Sequence, residues 1–188
     1  MPVSKGSNDN RWILLLRGIN VGGKRSMPMA DLRQCLTGAG FDNVATYIQS
    51  GNVVLDATSA TTAERVVEIS AAAIGEAFGF SPPLQALSAE GLAEAIAENP
   101  FARESVADPK SVHYFFVPTP RAPAELGAIA ERATAGEKAI VGESAVYLST
   151  PNGFGTSKYA MALAKTLGPN ATARNHRSVL AIAELTRT

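Results

Sequence analysis

The 188-residue sequence predicts an α+β protein made of two βαββαβ units whose antiparallel sheets pack into one body. Three observations carry that expectation. Short β-rich runs alternate with segments of helical spacing in the order βαββαβ, and the same order recurs in the second half as a repeat of pattern with little residue identity. The runs Trp12-Ile13-Leu14-Leu15-Leu16 and Tyr114-Phe115-Phe116 are apolar at every position, so both faces of those strands need cover, from the other unit, a junction helix or the C-terminal helix.

The elements follow in order. A strand over 12–16 stops at Arg17-Gly18-Ile19-Asn20-Val21-Gly22-Gly23-Lys24, where glycines, an asparagine and cations suit a tight turn or an anion. Pro28 opens a helix along Met29, Leu32, Cys35 and Leu36, which Gly38 and Gly40 stop. A strand over 44–49, a turn at Ser50-Gly51-Asn52 and a strand over 53–55 form a hairpin; a helix over 62–78 and a short strand over 83–87 close residues 11–87 as the first unit. Residues 88–110 read as a junction: a helix opened by Ser88 and ended before Pro100, then a loop over 101–110. The second unit, 111–188, repeats strand 112–117, helix 123–134, hairpin strands 138–141 and 145–149, helix 157–167 ended by Gly168-Pro169, and strand 171–174, with a last helix over 177–186.

Composition narrows the function. Lys plus Arg and Asp plus Glu are 17 each, so net charge is zero and bulk attraction to nucleic acid or an anionic membrane is not expected. The single Cys35 excludes an internal disulfide, residues 2–10 form a polar tail without a signal core, and a cytoplasmic location is the default expectation. No Cys, His and Asp cluster has metal-ligand spacing, and no motif names a cofactor or a reaction. Cys35 shares the apolar face of its helix and reads as core; His113 reads as packed, and only His176, after Arg174-Asn175, has a functional position. Gly18, Gly23 and Lys24 approach a phosphate-binding loop, but Arg25 stands where the magnesium-binding Ser or Thr would be, and a hairpin follows where that fold has a parallel crossover.

In a βαββαβ unit the first two strands run parallel, so their C-terminal loops share a sheet edge. That groups Arg17, Asn20, Gly22, Gly23 and Lys24 with Gln49, Ser50 and Asn52 as one candidate edge. The same reasoning brings Asn152-Gly153-Phe154-Gly155-Thr156-Ser157-Lys158 near Arg174-Asn175, where a helix capped by Thr156 or Ser157 offers N–H groups beside Lys158 and Arg174. The expected function is therefore binding of a small phosphate- or carboxylate-bearing ligand at these loops, of unknown reaction. A nucleic-acid-binding module and a structural or regulatory interaction protein are the alternatives; the first lacks an aromatic platform in 53–55.

Leu14-Leu15-Leu16-Arg17-Gly18-Ile19-Asn20-Val21-Gly22-Gly23, Tyr47-Ile48-Gln49-Ser50-Gly51-Asn52-Val53-Val54, Asn99-Pro100-Phe101, and Gly153-Phe154-Gly155-Thr156-Ser157-Lys158 with Arg174-Asn175 together resemble the bacterial domain-of-unknown-function 1697 family, over nearly the whole chain from Arg11. The resemblance implies two ferredoxin-like subdomains and no established activity. One departure stands out: after Arg-Asn the family usually carries Trp, where this chain has His176-Arg177-Ser178.

Overall fold

The computed structural model describes residues 10–23, 25–58, 61–118 and 126–188. Its first half runs β1 (Arg11–Leu16), α1 (Met29–Gly38), β2 (Asp42–Tyr47), β3 (Asn52–Asp56), α2 (Ala63–Phe78) and β4 (Leu84–Ser88). After α3 (Ala89–Ala97) and α4 (Ala102–Ala107) come β5 (Val112–Phe116), α5 (Leu126–Ile129), a 3-10 turn (Ala130–Arg132), β6 (Lys138–Val141), β7 (Val146–Ser149), α6 (Lys158–Thr166), β8 (Thr172–Asn175) and α7 (His176–Leu185). Each half forms a four-stranded sheet in which every pairing is antiparallel, ordered β2-β3-β1-β4 and β6-β7-β5-β8. This is the ferredoxin-like α+β arrangement expected from the repeated pattern. The chain divides into two compact units, one running to Glu90 and taking in Leu185–Thr188, the other Gly91–Glu184.

Local chemistry explains the elements. Pro28, extended at φ −60° and ψ 135°, precedes α1, where a missing N–H costs nothing; Gly40, at φ 95°, ends the helix and lets buried Phe41 donate its N–H to the Leu36 carbonyl. The Thr62 hydroxyl accepts from Arg65 N at the start of α2, and Gly79 closes it in the left-handed conformation. The core of the first unit packs Leu14, Leu16, Val53 and Leu55 from one sheet face with Leu32 and Leu36 of α1 and Val66 and Ile74 of α2. The core of the second packs Phe115, Val146 and Leu148 with Ile129, Tyr159 and Leu163. Burying each such side chain fully stabilises by about 1.5–3 kcal/mol. The reverse faces are buried as well: Ile13, Leu15 and Val54 in one sheet, Val112, Tyr114, Phe116 and Tyr147 in the other. The Tyr147 hydroxyl donates to the Ala95 carbonyl of α3 at 2.8 Å, so the helix after β4 supports the reverse face of the second sheet.

Three expectations need correction. Residues 101–110 are not all loop, because α4 occupies Ala102–Ala107, steadied by Asn99, which accepts from Phe101 N and donates to Ser105 Oγ. The second strand ends at Tyr47, two residues early, because Ile48 turns left-handed at φ 49°. The helix expected over 123–134 is a short helix, Leu126–Ile129, running into the 3-10 turn, and its first residues, with the tail at 2–9, lie outside the described residues.

Candidate functional site

The loop after β1 is built around Asn20. Its Oδ1 accepts from Met27 N at 2.8 Å, and its Nδ2 donates to the carbonyls of Met27 and Gln49, each at 2.9 Å. Asn20 N also donates to the Arg25 carbonyl, closing the loop on itself. One side chain thus ties both ends of the glycine loop together and fastens them to the hairpin between β2 and β3. The chain can follow this course because Gly18, Asn20, Gly22, Gly23 and Arg25 all take positive φ, between 52° and 72°. Gly22 and Gly23 are exposed, and a Cβ added at either would meet nothing within 4 Å, so the space beside the backbone there is open. Arg25 folds back over the start of the loop: a Cβ at Gly18 would lie 3.7 Å from its Nη1.

The hairpin is held as firmly. Leu16 N donates to the Gly51 carbonyl at 2.8 Å, and Gly51, at φ 76°, sits so close to β1 that a Cβ would stand 2.6 Å from Leu16 Cβ. Buried Asn52 donates from Nδ2 to the Tyr47 carbonyl and to Ser50 Oγ. The shared edge inferred from topology therefore exists: the loop and the hairpin touch through Asn20 and Gln49. Arg17 is half-buried and Arg25 exposed, while Lys24 lies outside the described residues. The segments 17–27 and 47–52 contain the cations Arg17, Lys24 and Arg25 and no acidic residue.

The second edge is organised differently. Ser157 caps α6, its Oγ accepting from Ala160 N at 2.9 Å. Its hydroxyl is also bonded to buried Glu137, whose carboxyl is held low, against the opposing effect of burial, by Ser157 and by Thr134. Glu137 itself accepts from Thr134 N at 2.8 Å. The start of α6 thus already has a carboxylate from the chain itself beside it, and Lys158 there is exposed. Asn175 caps α7 through Ser178 N at 2.9 Å. Ala173 joins the Phe115 core beneath α6, so alternation along β8 turns Arg174 to the opposite, Tyr114 face. Arg174 is buried there, donates to Thr172 Oγ1 and the Ala173 carbonyl, and is pulled down to about 10 by burial. Lys158 and Arg174 consequently belong to different faces of the second sheet.

That Tyr114 face carries a polar group that sequence spacing alone does not bring together. Tyr114, buried and opposite Arg174 and Tyr147 in the ladder, places its hydroxyl 2.7 Å from His176 Nδ1. Burial pushes the Tyr114 phenol up and His176 down, so both are held neutral. Tyr147 packs edge-on to Tyr114 at 5.1 Å, and its hydroxyl, donated to Ala95, lies 3.3 Å from Glu98 Oε2, a carboxylate that accepts from both the N–H and the hydroxyl of Ser144. Alternation of Tyr, Phe and Arg in the strands marks the face; the Tyr114–His176 pairing depends on a contact 62 residues apart. His113, on the Phe115 face, stacks on Phe154 at 4.0 Å, and burial lowers it to about 4. Among the described residues no group of three or more His, Cys, Asp or Glu side chains could hold a metal ion, and no helix is long and apolar enough to cross a membrane.

The family of proteins of unknown function DUF1697 matches residues 10–147 of the chain, a span that includes both segments of the first edge. Among solved structures, a conserved bacterial protein from Streptococcus pneumoniae is similar, with a TM-score of 0.74 and 26% identity over 94% of this chain and 98% of the other. No curated protein matches.

Proposed function

The chain belongs to the DUF1697 family, and from that premise we propose that it binds a small phosphate- or carboxylate-bearing molecule at the edge formed by the loop 17–27 and the hairpin 47–52. The observation that carries this reading is electrostatic. A chain of zero net charge gathers Arg17, Lys24 and Arg25 in one short segment, 17–27, without a carboxylate, and Asn20 of that segment bonds to the equally acid-free hairpin 47–52. Arg17 and Arg25 supply charge, the open backbone at Gly22 and Gly23 supplies N–H donors, and Gln49 and Ser50 complete the rim. Asn20 and Asn52 act by holding the frame, since their amides are engaged within the loop and the hairpin, Asn20 with backbone and Asn52 with the Tyr47 carbonyl and Ser50 Oγ. With Cys35 as its lone thiol, the protein is read as cytoplasmic.

A ligand that binds only the folded state raises its melting temperature by mass action. Inorganic phosphate, titrated against chloride at equal ionic strength, should raise the melting temperature of the protein, and Arg17→Gln and Arg25→Gln should each remove most of that rise. An equal rise in all three proteins, or none in the parent, overturns the reading.

A further inference from the structure

Two exposed aliphatic side chains flank the bond that joins the loop to the hairpin. Val21 follows Asn20 and is 67% exposed; Ile48 precedes Gln49 and is 53% exposed. Ile48 is held at φ 49°, a conformation that strains a β-branched side chain and that Asn or Gly would adopt far more readily. The strain is imposed by its surroundings: the Asn52 amide on the Tyr47 carbonyl, the Asn20 amide on the Gln49 carbonyl, and Gly51 wedged against Leu16. That framework leaves Ile48 exposed, so an apolar group is presented to solvent at a conformational cost, in the hairpin that Asn20 joins to the loop carrying Arg25.

We infer that this rim recognises an amphipathic anion, a small molecule whose phosphate or carboxylate lies at the glycine loop and whose aliphatic or aromatic body lies on Val21 and Ile48. The inference rests on the anion-binding reading above and deepens it. The occupant follows from the make-up of the two joined segments: basic residues and no acidic ones in sequence, exposed Arg25 among them, beside the exposed aliphatic groups of Val21 and Ile48. Two side chains offer far less than the roughly 800 Å² that each partner contributes to a stable protein interface, so the apolar part suits a ligand body and not a protein partner.

The test is a homologous series: inorganic phosphate, methyl phosphate, butyl phosphate and hexyl phosphate, each titrated by calorimetry. Affinity should climb along the series by up to about fourfold for each methylene that becomes fully buried. The double variant Val21→Ser/Ile48→Asn should flatten that climb; Asn suits the left-handed turn, so the hairpin keeps its shape. Arg25→Gln should weaken every member, inorganic phosphate included. If phosphate binds but affinity does not change with chain length, or the climb survives in the double variant, the amphipathic assignment is overturned and the anion site stands. If no member binds, both fall.

Discussion

Ile48 is where intrinsic preference and tertiary structure conflict most sharply. A β-branched residue disfavours positive φ, yet hydrogen bonds on both sides of Ile48 force it there. Ile48→Gly should therefore stabilise the unliganded protein by up to about 1 kcal/mol, the relieved strain exceeding the added chain entropy of glycine, and urea unfolding should show a higher midpoint at unchanged slope. A lower midpoint would mean that the exposed side chain stabilises the fold after all. A second residue-scale prediction concerns pH. Desolvation lowers His113 to about 4, below the value near 6.5 of an unfolded histidine, so the unfolded chain takes up the proton first. The stability that neutral His113 contributes is complete above about 6.5 and is lost as pH falls through about 4, at most about 3 kcal/mol. His176, lowered by burial, titrates in the same sense. Asp56 acts in a lower window: its carboxyl is depressed by a fork of bonds from Arg11, at 2.7 and 3.0 Å, so its contribution persists until pH falls below the ordinary carboxylate range. Unfolding free energies measured between pH 7 and 4.5 should fall less steeply in His113→Phe than in the parent, and equal slopes would contradict the assignment.

At the scale of elements, the connections carry more specificity than the strands they join. The β2–β3 hairpin turns where it does because Gly51 alone fits beside Leu16 with φ positive. Gly51→Ala should destabilise by more than about 2 kcal/mol, combining left-handed strain with a Cβ clash against backbone-anchored β1, whereas Gly22→Ala meets only the strain of about 1 kcal/mol because its surroundings are open. Equal losses would show that the close approach relaxes. Turn glycines and helical spacing of apolar residues made the βαββαβ order legible, as Pro28 did for the start of α1 and Ser157 for α6. Local signals are weak or reversed elsewhere: α4 is too short to show a helical period, and nothing in Ile48 itself announces a left-handed residue. The shared edge of loop and hairpin could be deduced because it follows from strand direction. That Arg174 and Lys158 occupy opposite faces required the alternation of β8, and the Tyr114–His176 pair required knowing which strands pair.

For the whole molecule, charge distribution separates a small-ligand protein from a nucleic-acid module. Affinity for a polyanion grows with the number of phosphates neutralised, and each contact on a single strand contributes about −0.7 to the slope of log K against log salt. Segment 17–27 contains Arg17, Lys24 and Arg25, while the chain as a whole balances 17 basic against 17 acidic residues, so its net charge adds no long-range attraction. A mixed single-stranded RNA should therefore bind weakly, with a salt slope no steeper than about −2, the value for three contacts. On the proposed reading butyl phosphate takes the same cations, so it should compete that binding away at concentrations set by its own affinity. Fluorescence anisotropy of labelled RNA between 50 and about 200 mM salt decides the matter. Tight binding with a slope well beyond −2 would require cations outside this edge and would transfer the functional reading to a nucleic-acid surface, whereas weak binding removed by Arg25→Gln keeps the glycine loop as the only anion-attracting feature the RNA detects.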